Sequence, residues 1–413
     1  MRSQDSKSLP HLFSAEDVGP GRPGLLRKVN SSEILRLLRL HGPCSRADLT
    51  RASGLSAPTV SSSVEYLQRK GLVVEIGVGN SKKGRPPGLL RFNCSFGHVA
   101  GVDIGGFAVR IALADLEGDV IGRLSFPIPA PGTPKRMVSM VRAGITRLQK
   151  LHNLPKSKLI AIAVGAPGIT DPTAGVVRSA PHLAGWEDVP LQRMISASLS
   201  VPAAIENDVN LAALGEGWRG TAHSVPDFVF VAIGTGVGAG IILGGRLYRG
   251  ADWSAGEIGY LMVPGTGSGP LDLMRPGPFE SVIGGRGIEE AWLQGNGHRQ
   301  PLKATEILDR AETDDALARS ILDRTAQVLA EGVLSLSVVL NPGLVVFGGR
   351  IGTHHALFEK TQRIVQRSQV ATPRLAISAL GQEAQLLGAV WLATRRAETQ
   401  LLRRVPAQRK EKS

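Results

Sequence analysis

The sequence predicts a small winged helix-turn-helix module followed by a two-lobed α/β body with a cleft between the lobes. Three observations predict it. Residues 25–95 carry three short helix signals, then a strand, a basic Gly/Pro loop and a returning strand. From about 97 onward, a run of three strands and a helix appears twice, about 125 residues apart. The charge is also placed unevenly. Residues 1–98 hold 15 Lys/Arg against 7 Asp/Glu, residues 395–413 hold 7 against 2, and the stretch between holds 26 of each. That asymmetry points to a polyanion partner at the ends and a small-molecule or protein role in the middle.

Composition supports a packed body. Hydrophobic residues make up 42% and charged residues 20%. With 4% aromatics and 50 glycines, the core must be aliphatic and the turns tight. The two cysteines, Cys44 and Cys94, imply no disulfide framework and suit a reducing cytoplasm. Neither a signal peptide nor a membrane span is expected, because no apolar run is long enough.

Residues 1–24 are polar and rich in Gly, Pro and Ser, the composition of a disordered tail. Ser31 or Ser32 is expected to cap a first helix with an Ile34, Leu37, Leu38 and Leu40 stripe, ended by Gly42-Pro43. Ser45 caps a second helix that stops at Gly54. Ser56 caps a third, with Pro58 in its first turn, where the missing N–H is harmless. Val60, Val64 and Leu67 mark its buried face, and Thr59, Ser62, Ser63 and Tyr66 its other face.

A helix so placed can enter the major groove of double-stranded DNA. Thr59, Ser62 and Ser63 are the candidates for base edges or phosphates, with Ser56 at the helix start. Arg46, Arg51, Arg69 and Lys70 are candidates for flanking phosphates. In the loop, Lys82, Lys83 and Arg85 belong to a narrow Gly-Arg-Pro segment suited to an A·T-rich minor groove. The alternative is a helical module that mediates protein contacts.

Four motifs mark the cleft. Asp103-Ile104-Gly105-Gly106 ends a strand, where glycines let a phosphate approach and the Asp can hold a metal-bound water. Glu206-Asn207-Asp208-Val209-Asn210 opens a helix. A carboxylate there suits a general base toward a sugar hydroxyl, and Asn207 or Asp208 equally suits a helix cap. Gly234-Thr235-Gly236-Val237-Gly238 is a second glycine turn, and Val346-Phe347-Gly348-Gly349 reads as a strand ending in two glycines that could abut a nucleotide base.

In this order the motifs closely resemble the ROK family (repressors, open reading frames and kinases), from about 28 to 394. The resemblance implies a two-lobed actin-like, ribonuclease H-like sugar-kinase fold. It divides the chain into a winged helix at 25–95, a first lobe at 96–218 completed by a helix at 383–396, a second lobe at 219–382 and a basic tail at 397–413. It implies sugar contacts from Pro167 and Gly168, from Asn207 and Asp208, and from Glu257, with Glu280 beyond. Asp208 would be the catalytic base if phosphoryl transfer is retained. The turns at 103–106 and 234–238 would face ATP phosphates, and Gly348 and Gly349 adenosine.

The sequence departs from that pattern in three places. Phe107 and Ala108 stand where the family's kinases carry a Thr and often a Lys, which removes a phosphate donor. The family's structural-zinc cysteines are missing from LMVPGTGSGPLDLMRPGPFES, so no metal is expected. Tyr260 replaces the family's His, and its phenol can donate to sugar or simply pack. The expectation is a cytoplasmic, sugar-responsive DNA-binding repressor, a homodimer or homotetramer, without cofactor. The alternative is an ATP-dependent sugar kinase with a DNA-binding domain.

Overall fold

A computed structural model of the chain describes residues 23–403, except 79–87, 129, 181–182, 184, 268–270, 272–274, 298–299, 314 and 370–371. The expected tail through residue 22, the wing residues Lys82, Lys83 and Arg85, and residues 404–413 lie outside the described residues.

Helix α1 spans Pro23–His41, so it begins earlier than its serines suggest. Ser31 and Ser32 lie inside the helix, and Ser31 is fully buried. Serine's mid-helix propensity cost is small, and no proline follows Pro23 to stop the helix before His41. Leu40 is exposed, and Leu35 takes its place in the buried stripe with Ile34, Leu37 and Leu38.

Helix α2 spans Arg46–Ser53 with a reciprocal cap: the Asp48 amide donates to Ser45 Oγ, and the Ser45 amide donates to Asp48 Oδ2. Gly54, at φ 67°, closes it. Replacing Ser45 with Ala is expected to cost about 1 kcal/mol, as for other lost N-caps, read from the urea midpoint of the full chain. An unchanged midpoint would show that Asp48 caps the helix unaided.

Helix α3 spans Ala57–Arg69, capped by Ser56. Its buried face holds Val60, Ser63, Val64 and Leu67. Ser63 therefore points inward, against expectation. It lies three residues after Val60 and four before Leu67, on the same side of the helix, and serine is small enough to be enclosed there. Strands β1 (Val73–Val78) and β2 (Gly88–Phe92) pair antiparallel.

The body holds two five-stranded sheets built to one plan. In the first, β3 (His98–Ile104), β4 (Ala108–Asp115) and β5 (Val120–Pro127) form an antiparallel meander. Helix α4 (Pro134–Leu151) returns the chain to β6 (Leu159–Ala166), which is parallel to β3. A small sheet of β7 (Ile169–Asp171), β8 (Val176–Ser179) and β9 (Glu187–Val189) follows, then helix α5 (Leu191–Leu199). β10 (Ala203–Asn207) completes the order β10-β6-β3-β4-β5, and helix α6 (Asp208–Arg219) leaves from its end.

The second sheet repeats the order. β11 (Phe228–Ile233), β12 (Val237–Leu243) and β13 (Arg246–Tyr248) form the meander. Helices α7 (Glu280–Ile283), α8 (Gly285–Gly295), α9 (Ala304–Arg310) and α10 (Ala316–Leu340) intervene before β14 (Leu344–Gly348). Short α11 (Gly349–Gly352) and α12 (His355–Val365) lead to β15 (Arg374–Ile377), giving the order β13-β12-β11-β14-β15. β3 and β6 are buried at every position, as befits strands covered on both faces.

Helix α13 (Ala384–Arg403) packs across the first sheet and along α6. The two helices meet through glycines: a Cβ on Gly388 would overlap the Leu211 carbonyl, and one on Gly215 the Ala384 carbonyl. Residues 397–403, expected to open the basic tail, instead continue this helix to Arg403. Ala397 is buried, and Glu398 pairs with Arg39 of α1 at 2.9 Å. A single apolar cluster joins Leu35, Leu38 and Phe92 of the winged helix to Val99, Ala114, Val390 and Ala397 of the body. Among the described residues, no helix is long and apolar enough to cross a membrane.

Candidate functional site

The β10–α6 junction builds one wall of the cleft. Asn207 caps α6: its Oδ1 accepts from the Asn210 amide at 2.9 Å. Its Nδ2 donates to the Gly168 carbonyl at 3.0 Å and to Asp208 Oδ1 at 3.3 Å. Asn207 is thus both cap and site residue, and it draws the Pro167-Gly168 turn to the site. Gly168 sits at φ 80°, where a Cβ would overlap the Ser179 carbonyl, so only glycine fits.

Asp208 Oδ1 accepts from the Val209 amide at 2.9 Å. Burial, and then the Asp103 carboxylate, push its pKa up to about 7, with Glu257 adding to the rise. Burial and Glu280 raise Glu257 as well. Four acids therefore converge, and Asp208 is poised to exchange a proton near neutrality.

The consequence for stability has a definite sign. Asp208 holds its proton in the folded chain up to about pH 7 but loses it near 3.8 when unfolded. Its stabilisation is present below 3.8 and is lost as pH rises through 7. Asp208→Asn should therefore gain on the wild type between about pH 5 and pH 8, measured as the shift in urea midpoint. Equal midpoint differences at both pH values would refute the raised pKa.

The other cleft motifs behave differently from one another. Asp103 is 1% exposed, and Arg110 grips its Oδ2 through Nε at 2.8 Å and Nη2 at 2.7 Å. Arg110 thus places a positive charge from the chain itself against this buried carboxylate. Gly105 and Gly106 form the turn after it, with Phe107 76% exposed and Ala108 starting β4. At Gly106 and Gly234 an added Cβ would meet nothing within 4 Å. Packing therefore does not require those two glycines, which leaves clearance for an approaching ligand. Thr235 is exposed at the tip of the second turn, and the Gly234 amide donates to the Gly236 carbonyl. Gly348 and Gly349 are required by the fold: a Cβ would overlap the Phe230 ring at one and the Ile233 carbonyl at the other.

The opposite wall is the loop after β13. A small open pocket is lined by Asn207, Asn210, Gly238, Trp253 and Glu257, among others. Glu280 turns one oxygen to the Val237 amide at 2.9 Å, bracing the second glycine turn. Tyr260 donates its hydroxyl to the Arg275 carbonyl at 3.1 Å.

Sequence reading missed three residues. Arg249 reaches from the second sheet's loop to Glu206, a carboxylate 1% exposed at the end of β10, with contacts of 2.8 and 2.7 Å. Arg110 holds Asp103. Trp253 lines the cavity at φ 63°, a left-handed conformation that costs a non-glycine residue about 1–2 kcal/mol. The positive φ had no local signal; the aromatic beside Gly256-Glu257 was the one available hint.

On the winged helix, α3 turns Pro58, Ser62, Glu65 and Arg69 outward. Ser56 Oγ and Thr59 Oγ1 lie 2.8 Å apart, and Arg46 donates to Gln68 Oε1 at 3.3 Å, tying α2 to α3. Arg51 pairs with Asp48, and Lys70 is exposed beside the Tyr66 ring. Buried Ser63 presents nothing to a groove; Glu65 is the outward acid that the reading of the face missed.

Comparison with known proteins identifies the family of each part of the chain. Residues 28–84 match the MarR family, and residues 99–396 match the ROK family. A putative xylose repressor of Caldicellulosiruptor sp. (strain Rt8B.4) is 29% identical over 387 residues, 90% of this chain and 96% of that protein. A glucokinase of Halalkalibacterium halodurans is 30% identical over 311 residues, covering 71% and 93%. The crystal structure of a ROK family transcriptional regulator, a homologue of the E. coli MLC protein, superposes with TM-score 0.77. It is 21% identical and covers 92% of this chain and 98% of that one, a likeness of fold. With the family match spanning most of its length, the chain belongs to the ROK family.

Proposed function

We propose that this chain is a cytoplasmic, sugar-responsive DNA-binding repressor of carbohydrate uptake or catabolism genes. One observation carries the proposal: α13 touches both the helix that opens at the cleft and the winged helix. It packs along α6, whose first turn holds Asn207 and Asp208 in the cleft, and its far end holds α1 through Glu398 and Arg39. A sugar that favours one arrangement of the lobes then favours one placement of the winged helix. Sugar hydroxyls would meet Asn207, Asp208 and Glu257, with the Gly168 backbone behind them. DNA would meet Ser62 and Arg69 on α3, with Lys82, Lys83 and Arg85 in the wing. As a symmetric homodimer or homotetramer the protein would bind pseudo-palindromic operators. Neither metal nor nucleotide is assigned a part in sensing.

The test is fluorescence anisotropy on DNA from upstream of the chain's own gene, titrated with a panel of sugars without ATP. One sugar is expected to change the affinity tenfold or more. No response across the panel, with DNA bound, would sink the sensing half of the proposal.

A second reading, phosphoryl transfer to a sugar, is favoured by the Asp208 pKa near 7 and the clearance at Gly106 and Gly234. Those glycines would hold ATP phosphates, and Asp208 would take the proton of the sugar hydroxyl. Phe107 occupies the position of the missing donor. Sugar-dependent ADP formation would establish this reading.

A further inference from the structure

We infer that Trp253 is a stacking platform for the effector, and that the loop carrying it selects a pyranose ring with an unobstructed C–H face. The inference rests on the sugar-sensing reading above.

Trp253 holds a left-handed backbone, at φ 63°. Glycine is the residue such a conformation favours, and the same loop uses it at Gly250 and Gly256, at φ 76° and 98°. At position 253 the chain keeps its bulkiest side chain instead. Strain retained in a cavity wall marks a side chain held for a ligand.

The loop is also braced. The Ala255 amide donates to the Arg249 carbonyl at 3.1 Å, and Ser254 Oγ donates to Asp252 Oδ1 at 2.8 Å. The Ala239 amide donates to the Gly256 carbonyl at 2.7 Å. Arg249 anchors the start of the loop to Glu206 of the other sheet. The indole is thus presented on a preorganised frame that spans the cleft, which limits the entropy lost on binding.

The chemistry of the cavity is complementary to a sugar ring. Asn207, Asn210 and Glu257 line the pocket together with Trp253, Ala239 and Ala255, so polar and apolar residue types share its wall. A pyranose has both characters, with hydroxyls at its rim and C–H groups on a face. An acyclic polyol has the hydroxyls without the flat face.

The experiment is isothermal titration of the full chain with D-glucose, D-xylose, D-galactose, N-acetyl-D-glucosamine and, as the acyclic control, D-glucitol. One pyranose is expected to bind and to shift the tryptophan emission. Trp253→Ala should weaken it roughly 10- to 100-fold and abolish the shift, and Trp253→Phe should recover most of the affinity. Trp253→Gly should melt no lower than the wild type, because it relieves the strained φ, yet bind as poorly as Trp253→Ala. Equal affinity in Trp253→Ala and wild type would overturn the inference while leaving sugar sensing intact. So would D-glucitol binding as tightly as the pyranose. If the wild type binds none of the five, the sensing reading falls and the platform with it.

Discussion

Gly388→Ala is expected to destabilise the protein by about 3 kcal/mol, at the top of the range for overpacked cores. The added Cβ would overlap the Leu211 carbonyl, and a backbone oxygen within α6 cannot swing aside as a side-chain tip can. The helices must separate, and Gly215 against Ala384 and Gly101 against Val390 would lose their fit in turn. Because α6 opens at Asn207 and Asp208, the separation would also disturb the cleft and weaken sugar binding. Differential scanning calorimetry should show a lower first transition. Gly234→Ala is the control: its Cβ meets nothing within 4 Å, so stability should hold within about 0.5 kcal/mol. Equal effects from the two substitutions would show that helix contact is not what Gly388 provides.

Glu398→Ala is the second large effect. Glu398 is buried and accepts from Arg39 at 2.9 Å and from Arg395 at 3.3 Å. Removing it strands two largely enclosed guanidiniums. One of them, Arg39, keeps the Leu116 carbonyl at 3.2 Å and the Phe92 ring. Loss of one partner of a buried pair costs about 3–5 kcal/mol, and the remaining contacts of Arg39 place this case near the lower end. The loss should be local, as α1 comes free of α13, so hydrogen exchange in residues 31–41 should accelerate while the second sheet stays protected. Operator affinity should fall, and its response to sugar should fall further. The pair Arg39→Met with Glu398→Leu should restore the protection, since an apolar pair of similar volume avoids the buried charges. Unchanged exchange in α1 after Glu398→Ala would remove this contact from the proposed coupling between cleft and winged helix.

What the sequence disclosed follows from distance along the chain. The caps at Ser45 and Ser56 and the stop at Gly54 are visible because donor and acceptor lie within four residues. The two meanders are visible because each strand carries its own pattern, and the motif at 206–210 because a strand ends where a helix begins. Polarity alone misleads where a side chain is small, as Ser31 and Ser63 do by lying buried within helices. The contacts that organise the cleft stay hidden for another reason. Glu206 and Arg249 are 43 residues apart, and Arg39 and Glu398 are 359 apart. No local pattern pairs them, because the pairing is made by the topology. Gly348 and Gly349 also carry a packing demand that no local pattern shows, because a Cβ there would overlap Phe230 and Ile233.

The position of α13 governs when the protein becomes competent during synthesis. A ribosome that has reached residue 380 has made the winged helix and both sheets, but not the helix that covers the first sheet and carries the partner of Arg39. Until then Val99, Ala114, Leu35 and Leu38 lack part of their apolar cover, and Arg39 lacks its acid. Long-range closure of this kind is slow and comes last. A chain truncated before α13 would carry α1 to α3 without the helix that pairs Glu398 with Arg39. The fold thus makes synthesis through α13 a condition for holding the winged helix against the body.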